Sequence, residues 1–85
     1  GLVHLVDIRH PPMESDVIMQ DWVRSLGIPT LVVATKLDKI PRGKRLQHLK
    51  IMNTGLRLTN PAISFSAVTG EGLNELTEAL SCWLE

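Results

Sequence analysis

The chain has 85 residues, 44% hydrophobic and 21% charged, proportions that suit one small globular domain and exclude a disordered tail. Nine basic and nine acidic residues cancel, so no global field draws the chain to nucleic acid or to an anionic membrane. The single cysteine, Cys82, excludes an internal disulfide, no apolar run approaches the roughly 20 residues of a membrane span, and no signal segment opens the chain; the expectation is a cytoplasmic protein without a membrane partner.

Leu2 to Asp7 is an apolar run of strand length that follows Gly1 directly, so the chain reads as beginning inside a fold. Arg9-His10-Pro11-Pro12 breaks the run, and Ile18, Met19, Trp22, Val23 and Leu26 then recur at helical spacing. Gly27 and Pro29 stop that helix. Thr30 to Thr35 is a continuous run of β-branched and apolar residues, the pattern of a strand buried on both faces. Lys36 to Pro41 is a polar loop, and from Arg42 the residues Leu46, Leu49, Met52 and Leu56 trace a second helical stripe that Thr54-Gly55 weakens or ends. Ala62 to Phe65 is a short third strand and Thr69 to Gly72 a turn. Leu73, Leu76, Leu80, Trp83 and Leu84 give a last amphipathic helix.

Three consecutive strand–helix units predict an α/β fold: a three-stranded parallel sheet with right-handed crossovers and helices on both faces. The first strand is expected at an exposed edge, where an apolar strand needs a partner and can pair with a second copy. Ligands of open α/β sheets bind outside the carboxyl ends of the strands. The chemistry is therefore expected in three loops: Asp7 to Met13, Thr35 to Lys39, and Ser66 to Gly72. His4, His10 and His48 with one cysteine lack the spacing of a zinc site.

The second loop reads Thr35-Lys36-Leu37-Asp38 and the third Ser66-Ala67-Val68-Thr69-Gly70-Glu71-Gly72. They resemble the Asn/Thr-Lys-x-Asp motif and the Ser-Ala loop of P-loop GTPases. The first, Asp7-Ile8-Arg9-His10-Pro11-Pro12, is similar to a segment of the EngB/YsxC family of bacterial GTPases, which act in assembly of the large ribosomal subunit. The resemblance covers nearly the whole chain, and the order and spacing of the motifs agree. It implies that residues 1–85 form a single partial domain, the C-terminal half of a Rossmann-like P-loop GTPase domain. GTP or GDP would be the ligand, and the large ribosomal subunit or its precursor a partner.

A guanine edge presents two adjacent donors, the N1 hydrogen and the exocyclic amine, and an ionised carboxylate accepts both; adenine has no hydrogen at N1. Asp38 is the candidate for this reading. The resemblance implies further that the Lys36 stem packs on one face of the base, and that Thr35 ties the loop to the phosphate loop. Ala67 would give its backbone N–H to the guanine carbonyl, with Val68 in the same loop and Ser66 bracing it near Asp38. A solvated Asp or Lys, a Thr that ends a strand and small residues at a strand end are the plain readings of the same positions. Arg9 and His10 have no derivable role at the base; the prolines fix entry to the first helix. The family often has a small polar residue where Met13 stands, which puts the cap of that helix in question.

No G-x-x-x-x-G-K-[ST] loop, Asp-x-x-Gly motif or switch threonine occurs in the sequence. These groups hold phosphates and magnesium in the complete parent domain, and phosphoryl transfer is mostly their positioning and electrostatics. The 85 residues alone are not expected to hydrolyse GTP. Two other readings stand beside this one: a non-enzymatic, self-associating α/β fragment that binds no nucleotide, and a generic Rossmann-like half-domain.

Overall fold

The computed structural model describes residues 1–84, with the side chains of Trp83 and Leu84 outside that description. The elements alternate as expected. Strand β1 spans Leu2–Asp7, helix α1 Glu14–Ser25, strand β2 Thr30–Thr35, helix α2 Arg42–Gly55, strand β3 Ile63–Ser64 and helix α3 Leu73–Leu84, with a 3-10 turn at Leu37–Lys39. The strands are parallel in the order β1-β2-β3. Leu2 pairs with Thr30 and Asp7 with Thr35, while β3 pairs only through Ile63 with Val33 and Ser64 with Ala34. The third strand is thus shorter than the four-residue run from Ala62 to Phe65 suggested, although the Phe65 N–H still donates to the Ala34 carbonyl at 2.8 Å.

The main core lies on one face of the sheet. Val6, Val32 and Ala34 pack with Ile8, Leu37, Ile40, Met52, Leu56 and Ala62, and half-buried Val17, Leu49 and Leu58 close around them. On the other face Val33 is buried, but Val3 and Leu5 are open, Leu5 to 63%. The other face is therefore better covered at the centre of β2 than over β1, an edge strand of the described sheet.

Helix α1 turns a different side inward from the one its apolar spacing marks. Val23 is buried, but Ile18, Met19, Trp22 and Leu26 are exposed, and Gln20 is buried instead. The reason is polar. The Gln20 amide lies 2.8 Å from His4 Nδ1, and His4 Nε2 lies 3.1 Å from Asp16 Oδ1, so the helix docks on β1 through hydrogen bonds. His4 is thus packed, as expected for a histidine in a strand, with both ring nitrogens engaged. The same Asp16 accepts the Met13 N–H at 3.2 Å and so caps the helix from its third position, where the Met13 side chain offers no cap.

Both crossover helices end in hydrogen-bonded αL caps. After α1, Gly27 has φ +67, and the Ile28 N–H reaches the Val23 carbonyl. After α2 the corresponding position is Arg57, at φ 55, with the Leu58 N–H on the Asn53 carbonyl. Gly55, the last helical residue of α2, meets a packing demand: a Cβ there would lie 2.6 Å from Pro12 Cγ, so the proline-rich loop packs against its bare backbone. Arg24 of α1 donates to the Leu56 and Arg57 carbonyls at 3.1 and 3.0 Å, satisfying the acceptor end of α2. In α2 the inward stripe is Leu49, Met52 and Leu56; Leu46 is 79% exposed, because the neighbouring Arg45 and His48 take the inward positions.

Candidate functional site

The three loops converge at the carboxyl ends of the strands. A cleft of about 380 Å³ is lined by Arg9 from the first loop, Thr35, Lys36, Asp38 and Lys39 from the second, and Phe65, Ala67 and Val68 from the third. Five of the six residues singled out in the sequence meet on its walls. The sixth, Ser66, lies fully buried behind them.

Backbone bonds set the loops against one another. The Leu37 N–H donates to the Phe65 carbonyl and the Ile8 N–H to the Thr35 carbonyl, both at 3.1 Å. The Thr35 hydroxyl donates to the Val6 carbonyl at 3.1 Å, so within this chain it ties β2 to β1. Lys36 is in the left-handed region at φ 65 and ψ 34, which turns the chain sharply into the 3-10 turn and presents Asp38 in that turn's first residues.

Ser66 links the second and third loops. Its hydroxyl donates to Asp38 Oδ1 at 2.7 Å and accepts the Thr69 N–H at 3.1 Å. The hydrogen bond from Ser66 holds the Asp38 carboxyl below the usual carboxylate range, with Lys39 and Arg45 adding charge stabilisation. Asp38 is therefore an ionised acceptor at neutral pH, and the Lys39 ammonium lies 4.0 Å from its Oδ2.

The first loop contributes a second fixed carboxylate. Asp7 accepts the Arg9 N–H at 2.9 Å, Arg9 Nε at 3.1 Å and Arg9 Nη2 at 2.8 Å, and the Lys36 ammonium lies 3.6 Å away. These bonds, the Arg9 side chain's first, hold the Asp7 carboxyl far below its ordinary value and raise that of Arg9. Asp7 thus orients two cations of the cleft. Lys39 and Phe65 are wall residues that the sequence did not single out, and Arg9, part of the first-loop segment, joins them although no role at the base was derivable for it. The spacing of Arg9 two residues beyond Asp7 and the place of Phe65 beside Ser66 were the available signals. His10 is exposed and does not line the cleft.

Gly72 closes the third loop. It has φ +83, and a Cβ there would run into the Ser64 carbonyl oxygen and come within 3.2 Å of Phe65 Cα. Only a bare backbone lets α3 start against the end of β3, which sets where Ser66 and Ala67 emerge. Among the described residues no three His, Cys, Asp or Glu side chains lie close enough to hold a metal ion. No described helix is long and apolar enough to cross a membrane.

A three-stranded parallel α/β sheet with its loops gathered at the carboxyl edge is the architecture of half a P-loop GTPase domain. No family model matches the chain. It is 48% identical over 81 residues to the probable GTP-binding protein EngB of Syntrophomonas wolfei, a match covering 95% of this chain and 42% of that protein. Proteins of the same description from Anoxybacillus flavithermus and Pelotomaculum thermopropionicum are 50% and 49% identical over 94% and 99% of the chain. The chain belongs to the EngB family and spans about two fifths of the length of these curated relatives.

Proposed function

We propose that this chain reads the guanine base of GTP or GDP within an EngB-type GTPase. The observation that carries the reading is the 2.7 Å hydrogen bond from Ser66 to Asp38, which joins the two base-recognition loops across 28 positions of sequence. By occupying Oδ1 from one side, Ser66 sets the carboxylate plane and leaves both oxygens with lone pairs for the N1 hydrogen and the amine of guanine. Lys36 supplies an alkyl stem for one face of the base, Ala67 a backbone N–H for the guanine carbonyl, and Thr35 and Val68 the remaining walls. Adenine leaves the carboxylate badly paired, and such a mismatch of buried or fixed polar groups discriminates strongly.

The chain forms one partial domain, the C-terminal half of the nucleotide-binding domain. Phosphate and magnesium binding, and hydrolysis with them, belong to the half that carries the phosphate loop; the 85 residues alone bind nucleotide weakly and do not hydrolyse it. By family resemblance the complete protein works in the cytoplasm on the large ribosomal subunit or its precursor. The test is Asp38→Asn in the full-length protein, with GDP and ADP affinities measured by calorimetry. The exchange should weaken GDP sharply in a protein that stays folded by circular dichroism. An undiminished preference for GDP over ADP would rule the assignment out.

A second reading, a self-associating structural fragment, is favoured by the open Val3 and Leu5 of β1 and by Ile18, Trp22 and Leu26 along α1. Sedimentation equilibrium of the 85-residue chain decides it: a monomer throughout the micromolar range excludes pairing through this surface.

A further inference from the structure

A single arginine reaches both loops of the base site from outside the cleft. Arg45, on the first turn of α2, donates from Nε to the Ile40 carbonyl at 3.1 Å, immediately after the turn that carries Asp38. From Nη1 it donates to Glu71 Oε2 at 2.6 Å, in the third loop. Glu71 does not end the connection. Its Oε1 accepts the Thr69 hydroxyl at 3.1 Å, and its own N–H donates to the same hydroxyl oxygen at 3.2 Å. The Thr69 N–H donates to Ser66 Oγ, and Ser66 Oγ donates to Asp38 Oδ1.

Every hydroxyl in this series has its proton direction fixed. Thr69 donates to Glu71 and accepts from its backbone; Ser66 accepts from Thr69 and donates to Asp38. Neither side chain can turn about χ1 without losing both the bond it gives and the bond it takes, and the Thr69 backbone carries the link to Ser66, so the Asp38 plane follows the position of Glu71, and Glu71 follows Arg45. Arg45 and Glu71 are each partly shielded, at 21% and 35% side-chain exposure. Their bond is also one link of a network with fixed directions, the circumstance in which an ion pair does more than an isolated surface pair.

We propose that Arg45 is a positioning residue for guanine recognition, setting the Asp38 carboxylate through Glu71, Thr69 and Ser66. This rests on the assignment of Asp38 as the base reader. Its signature is selectivity. Guanine gives Asp38 two hydrogen bonds and hypoxanthine, which lacks the exocyclic amine, gives one. A carboxylate tilted out of plane loses the second bond before the first. Losing Arg45 should therefore lower the preference for GDP over IDP, whereas general loosening of the domain weakens both nucleotides alike.

The experiment measures GDP and IDP affinities of the full-length protein by calorimetry for the natural sequence and for Arg45→Met, Arg45→Lys, Glu71→Gln and Asp38→Asn. Arg45→Met keeps a long apolar stem, Arg45→Lys keeps the charge, and Glu71→Gln keeps the shape while removing the charge. The GDP-to-IDP preference should fall about tenfold in Arg45→Met and Glu71→Gln, the scale of one charge-assisted hydrogen bond, and recover for the most part in Arg45→Lys. If Asp38→Asn abolishes the preference while Arg45→Met and Glu71→Gln leave it intact, the positioning role is wrong and the base site stands. If Asp38→Asn leaves the preference intact, the base assignment fails and this proposal falls with it. Should Arg45→Met not fold, Glu71→Gln decides alone.

Discussion

Replacing Gly72 by alanine separates two costs that one methyl group imposes. The first is conformational: at φ +83 an L side chain crowds its own backbone, at about 1–2 kcal/mol. The second is steric. The new Cβ overlaps the Ser64 carbonyl oxygen, a backbone atom that cannot swing aside like a side-chain tip, so either β3 or the start of α3 must move. Overpacking of that kind costs about 1–3 kcal/mol. The sum, about 2–5 kcal/mol, is a large share of the 5–15 kcal/mol typical of a domain. Gly70 is the internal control: it has φ +80 but no atom within 4 Å of an added Cβ, so Gly70→Ala should show only the first cost, about 1–2 kcal/mol. Urea unfolding followed by circular dichroism compares the two, since half-exposed Trp22 is a poor fluorescence reporter. Equal destabilisation by the two exchanges would refute the close approach of α3 to β3.

The inward face of α1 is tested by a pair of exchanges. Val23→Ala, at a buried position, should destabilise by about 1–3 kcal/mol, and Trp22→Gln, at an exposed one, by about 0.5 kcal/mol; the reverse order in urea midpoints would restore the stripe that apolar spacing marked. Acid should act on the site late. The folded-state values of Asp7, Asp38 and Glu71 are all lowered, so each stabilises the fold fully above the ordinary carboxylate range and loses that contribution as pH falls through its depressed value. Melting temperature should hold from neutral pH to about 5 and then decline, a decline that Asp7→Asn makes shallower. A decline below pH 5 that Asp7→Asn leaves unchanged would contradict the Asp7–Arg9 pair described here.

Strand and helix order was legible because chain direction and apolar runs are local properties. The continuous stretch Thr30–Thr35 read as a strand buried on both faces, and Gly27 as a helix stop, and both stand in the fold. The faces of the helices were less legible. On α1, spacing marked Ile18, Met19, Trp22 and Leu26, but the helix is held to β1 by the polar set His4, Asp16 and Gln20, which no hydrophobic pattern reveals. On α2, Leu46 fitted the period and lies outside, while Arg45 beside it turns inward to Ile40 and Glu71. At the site, short motifs found Thr35, Lys36, Asp38 and Ala67 because each lies at the end of a strand. Arg9 escaped because its place on the cleft wall depends on Asp7 holding it. The Arg45–Glu71 contact spans 26 positions, and charge alone cannot choose it from nine bases and nine acids.

Lys36 carries a conflict between persistence and use. Its left-handed backbone, φ 65, is a conformation that glycine or asparagine adopts with less strain, so selection for a durable fold alone would replace it. Such a replacement would also remove the ammonium near Asp7 and the alkyl wall of the cleft. On the proposed reading of the cleft, the best residue for folding and the best residue for binding therefore differ at this position, and a thermostabilised descendant obtained without selection for nucleotide should drift here first.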